Sequence, residues 1–148
     1  MPIDFSPERW ERVRETSRMW WAGELRRPLI QMTAKNRDPG RAEPPLPYLF
    51  YTSAYDLSVP AEAIIDRIDY DLSCLTYYGD SFPRFMPFFG AGVLAAFLGA
   101  RLNQREETCW FHPPEDLEIP DVTLPFDMDN AWFRRIEDVY RAGLDRFE

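Results

Sequence analysis

The sequence predicts a mixed α/β chain in which a helix precedes the first strand. Apolar residues recur at helical spacing in stretches that begin with capping residues. Short apolar runs bounded by proline, glycine or charged residues stand between them and predict strands. Aromatic residues make up 16% of the 148 positions, which is enough to fill a packed core. We expect one continuous segment, 1–148, without an internal domain boundary.

The first helix is predicted over residues 7–22. Ser6 is suited to cap this helix, Pro7 favours its first turn, and Gly23 favours its end. Residues 28–34 (PLIQMTA) are mostly apolar and follow two arginines, so they are predicted to form a short strand.

An extended loop is predicted over residues 35–47, which contain four prolines and one glycine. A second helix is predicted over 60–76, where five apolar residues share one face. The aromatic stretch 77–89 is broken by two prolines and favours a short strand or an irregular core segment.

The rest of the chain continues the alternation. Small residues over 90–98 predict a closely packed helix, and residues 108–111 (TCWF) predict a strand. A weaker strand is predicted at 122–124. The last helix is expected to start after Asp129 or Asn130 and to carry a wide apolar stripe, which needs something to pack on.

The charge pattern argues against nucleic acid as a partner. The net charge is −8, and residues 42–148 hold eight basic and nineteen acidic side chains. Nucleic-acid binding needs a basic footprint. The longest apolar stretch is too short to cross a bilayer, and the first twenty residues do not resemble a secretory signal. We therefore expect a cytoplasmic protein without a membrane partner.

Several polar clusters have a structural explanation. His112 in the sequence HPPED lacks the spacing of metal ligands, and residues 127–130 (DMDN) are better explained by helix capping than by metal binding. Cys74 and Cys109 lie in apolar patterns typical of buried, unreactive thiols. No metal or cofactor is therefore expected in this segment.

Two features remain as candidates for chemistry. Asp80 follows a glycine among aromatic residues, where a carboxylate must be hydrogen-bonded or must simply form the turn. Arg37 and Arg41 lie in the proline-rich loop, where a pair of guanidinium groups can hold a substrate carboxylate. Ordinary surface arginines are the alternative.

Three blocks of the chain resemble the uroporphyrinogen decarboxylase superfamily, in particular its uncharacterised decarboxylase-like members. These blocks are residues 27–30 (RPLI), 79–100 (GDSFPRFMPFFGAGVLAAFLGA) and 108–116 (TCWFHPPED), preceded by a Trp-rich helix. The resemblance spans nearly the whole chain, and its long central block is the specific part.

The resemblance implies a (β/α)8 barrel with active-site groups on loops beyond the ends of the strands. Such a barrel takes about 200–250 residues, so this chain is expected to be the first half. The superfamily includes cofactor-free decarboxylases and zinc-dependent methyltransferases that act on corrinoid proteins. In the methyltransferases the zinc ligands lie in the C-terminal half, so zinc is expected only in a complete protein of that kind.

The resemblance also implies roles for individual residues. Asp80 matches the essential aspartate that binds pyrrole N–H groups in the decarboxylases. Arg37 matches the second arginine of a Pro-x-x-x-Met-Arg-Gln-Ala-Gly-Arg motif, whose first arginine is replaced here by Thr33. That departure argues against uroporphyrinogen itself as the substrate.

Two functional hypotheses follow. In the first, the chain is the N-terminal part of a decarboxylase acting on a small carboxylated molecule, with a corrinoid methyltransferase as the alternative; Asp80 is catalytic, and Arg37 and Arg41 bind substrate. In the second, the chain is a non-catalytic module that associates, for example with a second copy, through exposed apolar faces. In either case the chain alone is not expected to hold a complete active site.

Overall fold

The structure is a computed structural model that describes residues 3–105, 108–113 and 127–147. Helices and short strands follow one another along these residues, with one turn of 3-10 helix at Thr52–Ala54. The helices are α1 (Pro7–Trp21), α2 (Ala61–Ser73), α3 (Val93–Phe97) and α4 (Ala131–Phe147). The strands are β1 (Gln31–Lys35), β2 (Leu75–Gly79), β3 (Arg101–Gln104) and β4 (Cys109–His112). The predicted α/β class is confirmed.

The chain divides into two compact units. The first unit contains residues up to 45 together with 66–85, and the second contains 46–65 together with the chain from 86 onward. The first part of α2, up to residue 65, therefore belongs to the second unit, and the remainder belongs to the first.

Each unit holds its own two-stranded antiparallel sheet. β1 pairs with β2, with Gln31 opposite Gly79, and β3 pairs with β4, with Arg101 opposite His112. A (β/α)8 barrel is built from parallel strands. No parallel pair occurs among the strands of the described ranges, so the half-barrel implied by the resemblance is not found there.

The helix α1 begins and ends close to its predicted bounds, because its capping chemistry is local. The Ser6 hydroxyl accepts a hydrogen bond from the Arg9 backbone N–H at 3.3 Å, and Pro7 occupies the first turn. Gly23 has a φ of +71°, and the N–H of Glu24 donates to the Met19 carbonyl at 2.8 Å, which closes the last turn. The first predicted helix is confirmed.

The second predicted helix, 60–76, ends three residues early, and the chain passes almost directly into β2. The Cys74 carbonyl accepts hydrogen bonds from the backbone N–H of Asn36 at 3.2 Å and of Arg37 at 3.0 Å. Because both donors lie just after β1, these bonds align the chain after α2 with that strand. Strand pairing therefore overrides the helical pattern of the last few residues.

The second unit differs from its predicted elements mainly in length. The helix predicted over 90–98 is confined to α3, and β4 lies within one residue of the strand predicted at 108–111. β3 was not predicted, since its sequence RLNQ is polar and acquires its extended form from pairing with β4. The weaker strand predicted at 122–124 lies outside the described residues.

The helix α4 confirms the capping interpretation of residues 127–130. The Asn130 side-chain oxygen accepts hydrogen bonds from the backbone N–H of Trp132 at 2.9 Å and of Phe133 at 3.3 Å. The Asn130 amide also donates to the Ala96 carbonyl at 2.9 Å. The cap therefore starts α4 and holds it against α3.

A buried arginine secures α4 within the second unit. Arg135 is only 6% exposed, and it donates to the carbonyls of Val59 at 2.6 Å and of Asp56 at 3.3 Å. These carbonyls lie just before α2, whose Ile64 and Ile65 are among the most buried residues of the core. Burial lowers the pKa of the Arg135 guanidinium. We assign Arg135 a structural role.

Replacing Gly79 with alanine is expected to destabilise the first unit strongly. Gly79 has a φ of +62°, and an added Cβ would lie 2.5 Å from the Ile30 backbone oxygen. The clash with the backbone adds to the cost of about 1 kcal/mol that an alanine carries in the left-handed region. We expect Gly79→Ala to lower the free energy of unfolding by roughly 2–4 kcal/mol, measured by urea denaturation.

Gly23→Ala is the matched control for this substitution. Gly23 has a similar φ of +71°, but an added Cβ meets no atom within 4 Å. Gly23→Ala is expected to lower the free energy of unfolding by about 1 kcal/mol, which is the conformational cost of the left-handed backbone alone. Equal losses for the two variants would show that the contact with Ile30 does not matter.

Candidate functional site

Asp80 lies directly after β2, and its carboxylate is almost enclosed. Arg27 donates two hydrogen bonds to it, from Nη1 to Oδ2 and from Nη2 to Oδ1, both at 2.6 Å. The Ile30 backbone N–H donates to Oδ2 at 2.9 Å. Asp80 is 7% exposed. Its two oxygens therefore accept three hydrogen bonds from within the chain.

This arrangement keeps Asp80 ionised. Hydrogen bonds from Arg27 lower the pKa of Asp80 from its ordinary value of 3.8 to about 2; burial opposes the shift, and the Ile30 N–H adds to it. The same pairing raises the pKa of Arg27. A carboxylate held in this way is better suited to positioning the chain than to accepting a proton from a substrate. The predicted catalytic role of Asp80 stays a prediction.

The contacts of Asp80 and its neighbour define the turn that follows β2. The Asp80 N–H donates to the Ile30 carbonyl at 2.7 Å. The Ser81 hydroxyl lies within hydrogen-bonding distance of two carbonyls, that of Met32 at 2.7 Å and that of Tyr78 at 2.6 Å. Ser81 is buried. These bonds hold the turn against β1.

Arg37 has partners other than Asp80. Its Nη1 donates to the Ser73 carbonyl at 3.3 Å, at the end of α2, and its Nη2 lies 3.7 Å from the Asp4 carboxylate. The side chain is 23% exposed. Its predicted role in substrate binding is untested by these contacts, but they occupy part of the guanidinium.

Arg41 is held on the surface of α2. Its guanidinium lies 3.0 Å from the Asp66 carboxylate and 3.4 Å from that of Asp69. It also lies over the Tyr70 ring, 5.3 Å from the ring centre. The structure therefore does not bring Arg41 together with Asp80, and its predicted substrate contact stays a prediction.

A second set of ion pairs fastens the predicted loop 35–47 to α2. The buried Arg67 side chain bonds to Asp71 at 2.6 Å and to Glu43 in the loop. Lys35, at the end of β1, lies 3.0 Å from Asp71. Together with Arg41, these contacts tie the loop to the helix at several points along its length.

A cleft of about 360 Å³ opens beside the turn after β2. Its polar lining consists of Gln31, Thr33, Ser81 and Arg84. The apolar lining consists of Met32, Leu72, Leu75 and Phe82, with the ring of Tyr77. The volume of the cleft lies in the lower part of the range of small-molecule sites in proteins.

Arg84 supplies the positive charge of this cleft. It is exposed, and it forms no hydrogen bond or ion pair with any residue of the described ranges. None of the described residues that line the cleft is acidic. An unpaired guanidinium beside an apolar wall is suited to bind a carboxylate, which it can hold with two parallel hydrogen bonds.

Arg84 was not among the residues predicted from sequence. It stands between Pro83 and Phe85 inside an aromatic stretch, where a single basic side chain does not contribute to an apolar core. That isolation, four residues after Asp80, is the signal that could have identified it. Arg37 and Arg41 follow β1, whereas Arg84, which has no bonded partner in the described ranges, follows β2.

Metal ligands do not cluster in the part of the chain that the structure describes. His112 ends β4, and its acidic neighbours in the sequence HPPED lie outside the described residues. Cys74 and Cys109 are both free thiols, and Cys74 is buried. Zinc and a corrinoid partner stay predictions for a complete methyltransferase.

Comparison of the chain with protein-family models, with curated proteins and with solved structures finds no match. Among the described residues, no helix combines the length and the apolar character needed to cross a bilayer. The geometry of the cleft therefore has to be interpreted from its own residues.

The Asp80 ion pair is expected to make stability depend on acid pH. The folded-state pKa of Asp80 lies below its ordinary value, so its stabilisation is fully present above pH 3.8 and is lost as the pH falls towards 2. Because Arg27 is half exposed, we expect only roughly 1–2 kcal/mol from the pair. Asp80→Asn should lose this stabilisation at pH 7. The difference in the free energy of unfolding between the variant and wild type should become smaller between pH 4 and pH 2, as measured by urea denaturation at each pH.

Glu11→Gln provides the control, because Glu11 pairs with Arg14 at 3.0 Å while both side chains are at least 70% exposed. It should change the free energy of unfolding by less than about 0.5 kcal/mol. A pH-independent loss in Asp80→Asn would mean that the carboxylate charge does not stabilise the fold.

Proposed function

We propose that the chain is the N-terminal part of a cytoplasmic enzyme resembling the uroporphyrinogen decarboxylases, and that it binds a small carboxylated substrate. The observation that carries the proposal is the guanidinium of Arg84, which has no bonded partner among the described residues and stands on the wall of a partly apolar cleft whose described lining is free of acidic residues. The most specific block of the resemblance, residues 79–100, contains both Arg84 and the turn that presents it.

In this proposal Asp80 acts as a positioning residue for the turn, and Arg84 takes the substrate carboxylate. Arg37 and Arg41 remain candidates for further contacts with the substrate. An ion pair that stabilises a carboxylate in the bound substrate does not accelerate its departure as carbon dioxide. We therefore assign Arg84 to anchoring the substrate, with the bond to the departing carboxylate broken elsewhere in the complete enzyme.

The barrel implied by the resemblance belongs to the same proposal. Because β1 and β2 are antiparallel, their sheet would stand outside the parallel strands of such a barrel. Release of carbon dioxide by the complete enzyme, with analysis of the product by mass spectrometry, tests the reaction class. Methyl transfer, the alternative reaction, would leave every carboxylate of the substrate in place.

Binding of carboxylates is expected to depend on Arg84. With 3-phenylpropanoate as the probe, Arg84→Gln should weaken binding by about 10- to 100-fold, the range expected for charge-assisted hydrogen bonds. Arg84→Lys should retain part of the affinity, because lysine keeps the charge but loses the paired geometry. Ligand-detected NMR titration measures these changes at constant ionic strength.

Arg26→Gln is the matched control for this titration. Arg26 is exposed and has no bonded partner in the described ranges, but it does not line the cleft. It should leave the affinity unchanged. Equal binding by wild type and Arg84→Gln would contradict the proposal.

A second candidate function is association with a partner or a second copy. The specific observation is that the apolar stripe of α4 is only partly covered: Tyr140 is 45% exposed and Leu144 is 56% exposed. Apolar side chains of this size on one helix face favour a protein contact.

Light scattering tests this second function. If α4 mediates association, wild type should be larger than a monomer at micromolar concentration, and Leu144→Glu should shift it towards the monomer without changing its helix content. A monomeric wild type with a cooperative thermal transition would exclude obligate association.

A further inference from the structure

The polar groups of the cleft that remain available are few and chemically distinct. The Arg84 guanidinium has all of its donors free within the described ranges, and the Thr33 hydroxyl has no hydrogen bond there. Gln31 makes one long contact, from Nε2 to the Asp80 carbonyl at 3.5 Å. By contrast, the Ser81 hydroxyl is already directed at two backbone carbonyls. A ligand therefore meets one cation, one free hydroxyl and one amide.

The charges of the cleft restrict the ligand further. Among the described residues that line it, Arg84 is the single charged one. One guanidinium can hold one carboxylate in a bidentate contact, so a second carboxylate on the same ligand would enter without a partner. A ligand ammonium would also lack a partner, since no carboxylate lines the cleft.

The apolar side of the cleft favours a ligand with a hydrocarbon group. Leu72, Leu75 and Phe82 are partly exposed along the cleft. These surfaces gain from contact with an apolar ligand group, by about 25 cal/mol per Å² removed from water. The cleft volume of about 360 Å³ suits one compact arm and not a large macrocycle.

We infer that the cleft selects a hydroxy-acid arm: a single carboxylate on Arg84, a neutral hydroxyl on Thr33, and a compact apolar body against Leu72, Leu75 and Phe82. This inference rests on the proposed function and names the arm of the substrate that the cleft takes; the carboxylate that departs belongs to another part of the substrate, outside the cleft.

Four probes with the same benzyl group test this inference on the full chain. They are 3-phenyllactate, which has the hydroxyl; 3-phenylpropanoate, which lacks it; phenylalanine, which has an ammonium; and benzylsuccinate, which has a second carboxylate. We expect 3-phenyllactate to bind about 3- to 10-fold more tightly than 3-phenylpropanoate, the value of one neutral hydrogen bond. Phenylalanine and benzylsuccinate should bind at least about 10-fold more weakly than 3-phenyllactate.

Thr33→Val separates the hydroxyl contact from the carboxylate contact. Valine keeps the branched shape that suits an exposed strand position, so the fold should be retained, which thermal unfolding checks. In this variant 3-phenyllactate and 3-phenylpropanoate should bind equally well, and both should still depend on Arg84.

The outcomes separate the two claims. If the preference for 3-phenyllactate is absent in wild type or persists in Thr33→Val, or if phenylalanine or benzylsuccinate binds as tightly, the inference is overturned. Carboxylate binding that still depends on Arg84 would then leave the proposed function standing. If none of the carboxylates binds, the proposed function fails and the inference fails with it.

Discussion

The first unit depends on the contact between Arg27 and Asp80. The two residues are 53 positions apart in sequence, yet two hydrogen bonds of 2.6 Å join them, and the Ile30 N–H completes the arrangement. This contact closes the end of the β1–β2 sheet and places the turn that carries Arg84 beside the cleft. Because Arg27 is half exposed, the pair contributes more to the specificity of the chain path than to its stability.

Charge is distributed so that most basic side chains near α2 already have acidic partners. Arg41 and Arg67 both lie over the Tyr70 ring, and they bond to acidic groups of α2 and the preceding loop. Arg84 differs from them because it has no such partner in the described ranges. Arg84 is therefore available to a ligand, and its position on the wall of the cleft distinguishes it from Arg26, which also has no bonded partner in the described ranges.

Features that depend on contacts between neighbours in sequence could be predicted, and features that depend on contacts between distant residues could not. The cap of α1 at Ser6 and the cap of α4 at Asn130 involve neighbours within three residues, so their sequence signals were sufficient. The pairing of β1 with β2 and the partner of Asp80 are contacts between distant residues, which a single sequence does not encode locally. β3 is polar, so its extended conformation depends on pairing with β4, and no periodic pattern in the sequence predicts it.

The candidate site shows the same difference between local features and contacts of distant residues. Asp80 was identified because a carboxylate among aromatic residues needs donors, and the structure supplies them from Arg27 and Ile30. Arg84 was not identified, since whether a guanidinium is paired or free depends on the packed chain and not on its neighbours in sequence. The polar character of the cleft, with Thr33 on one side and Arg84 on another, likewise arises only from pairing β1 with β2.

The ion pair between Lys35 and Asp71 has a practical consequence for chemical labelling. Lys35 is the only lysine of the chain, so it is the single side chain that an amine-reactive dye or crosslinker can acylate. Its hydrogen bond with Asp71 raises its pKa, so the reactive neutral amine becomes abundant only in more alkaline solution than for a free lysine. A probe attached there would stand at the end of β1, two residues beyond Thr33, where it could report on ligands entering the cleft.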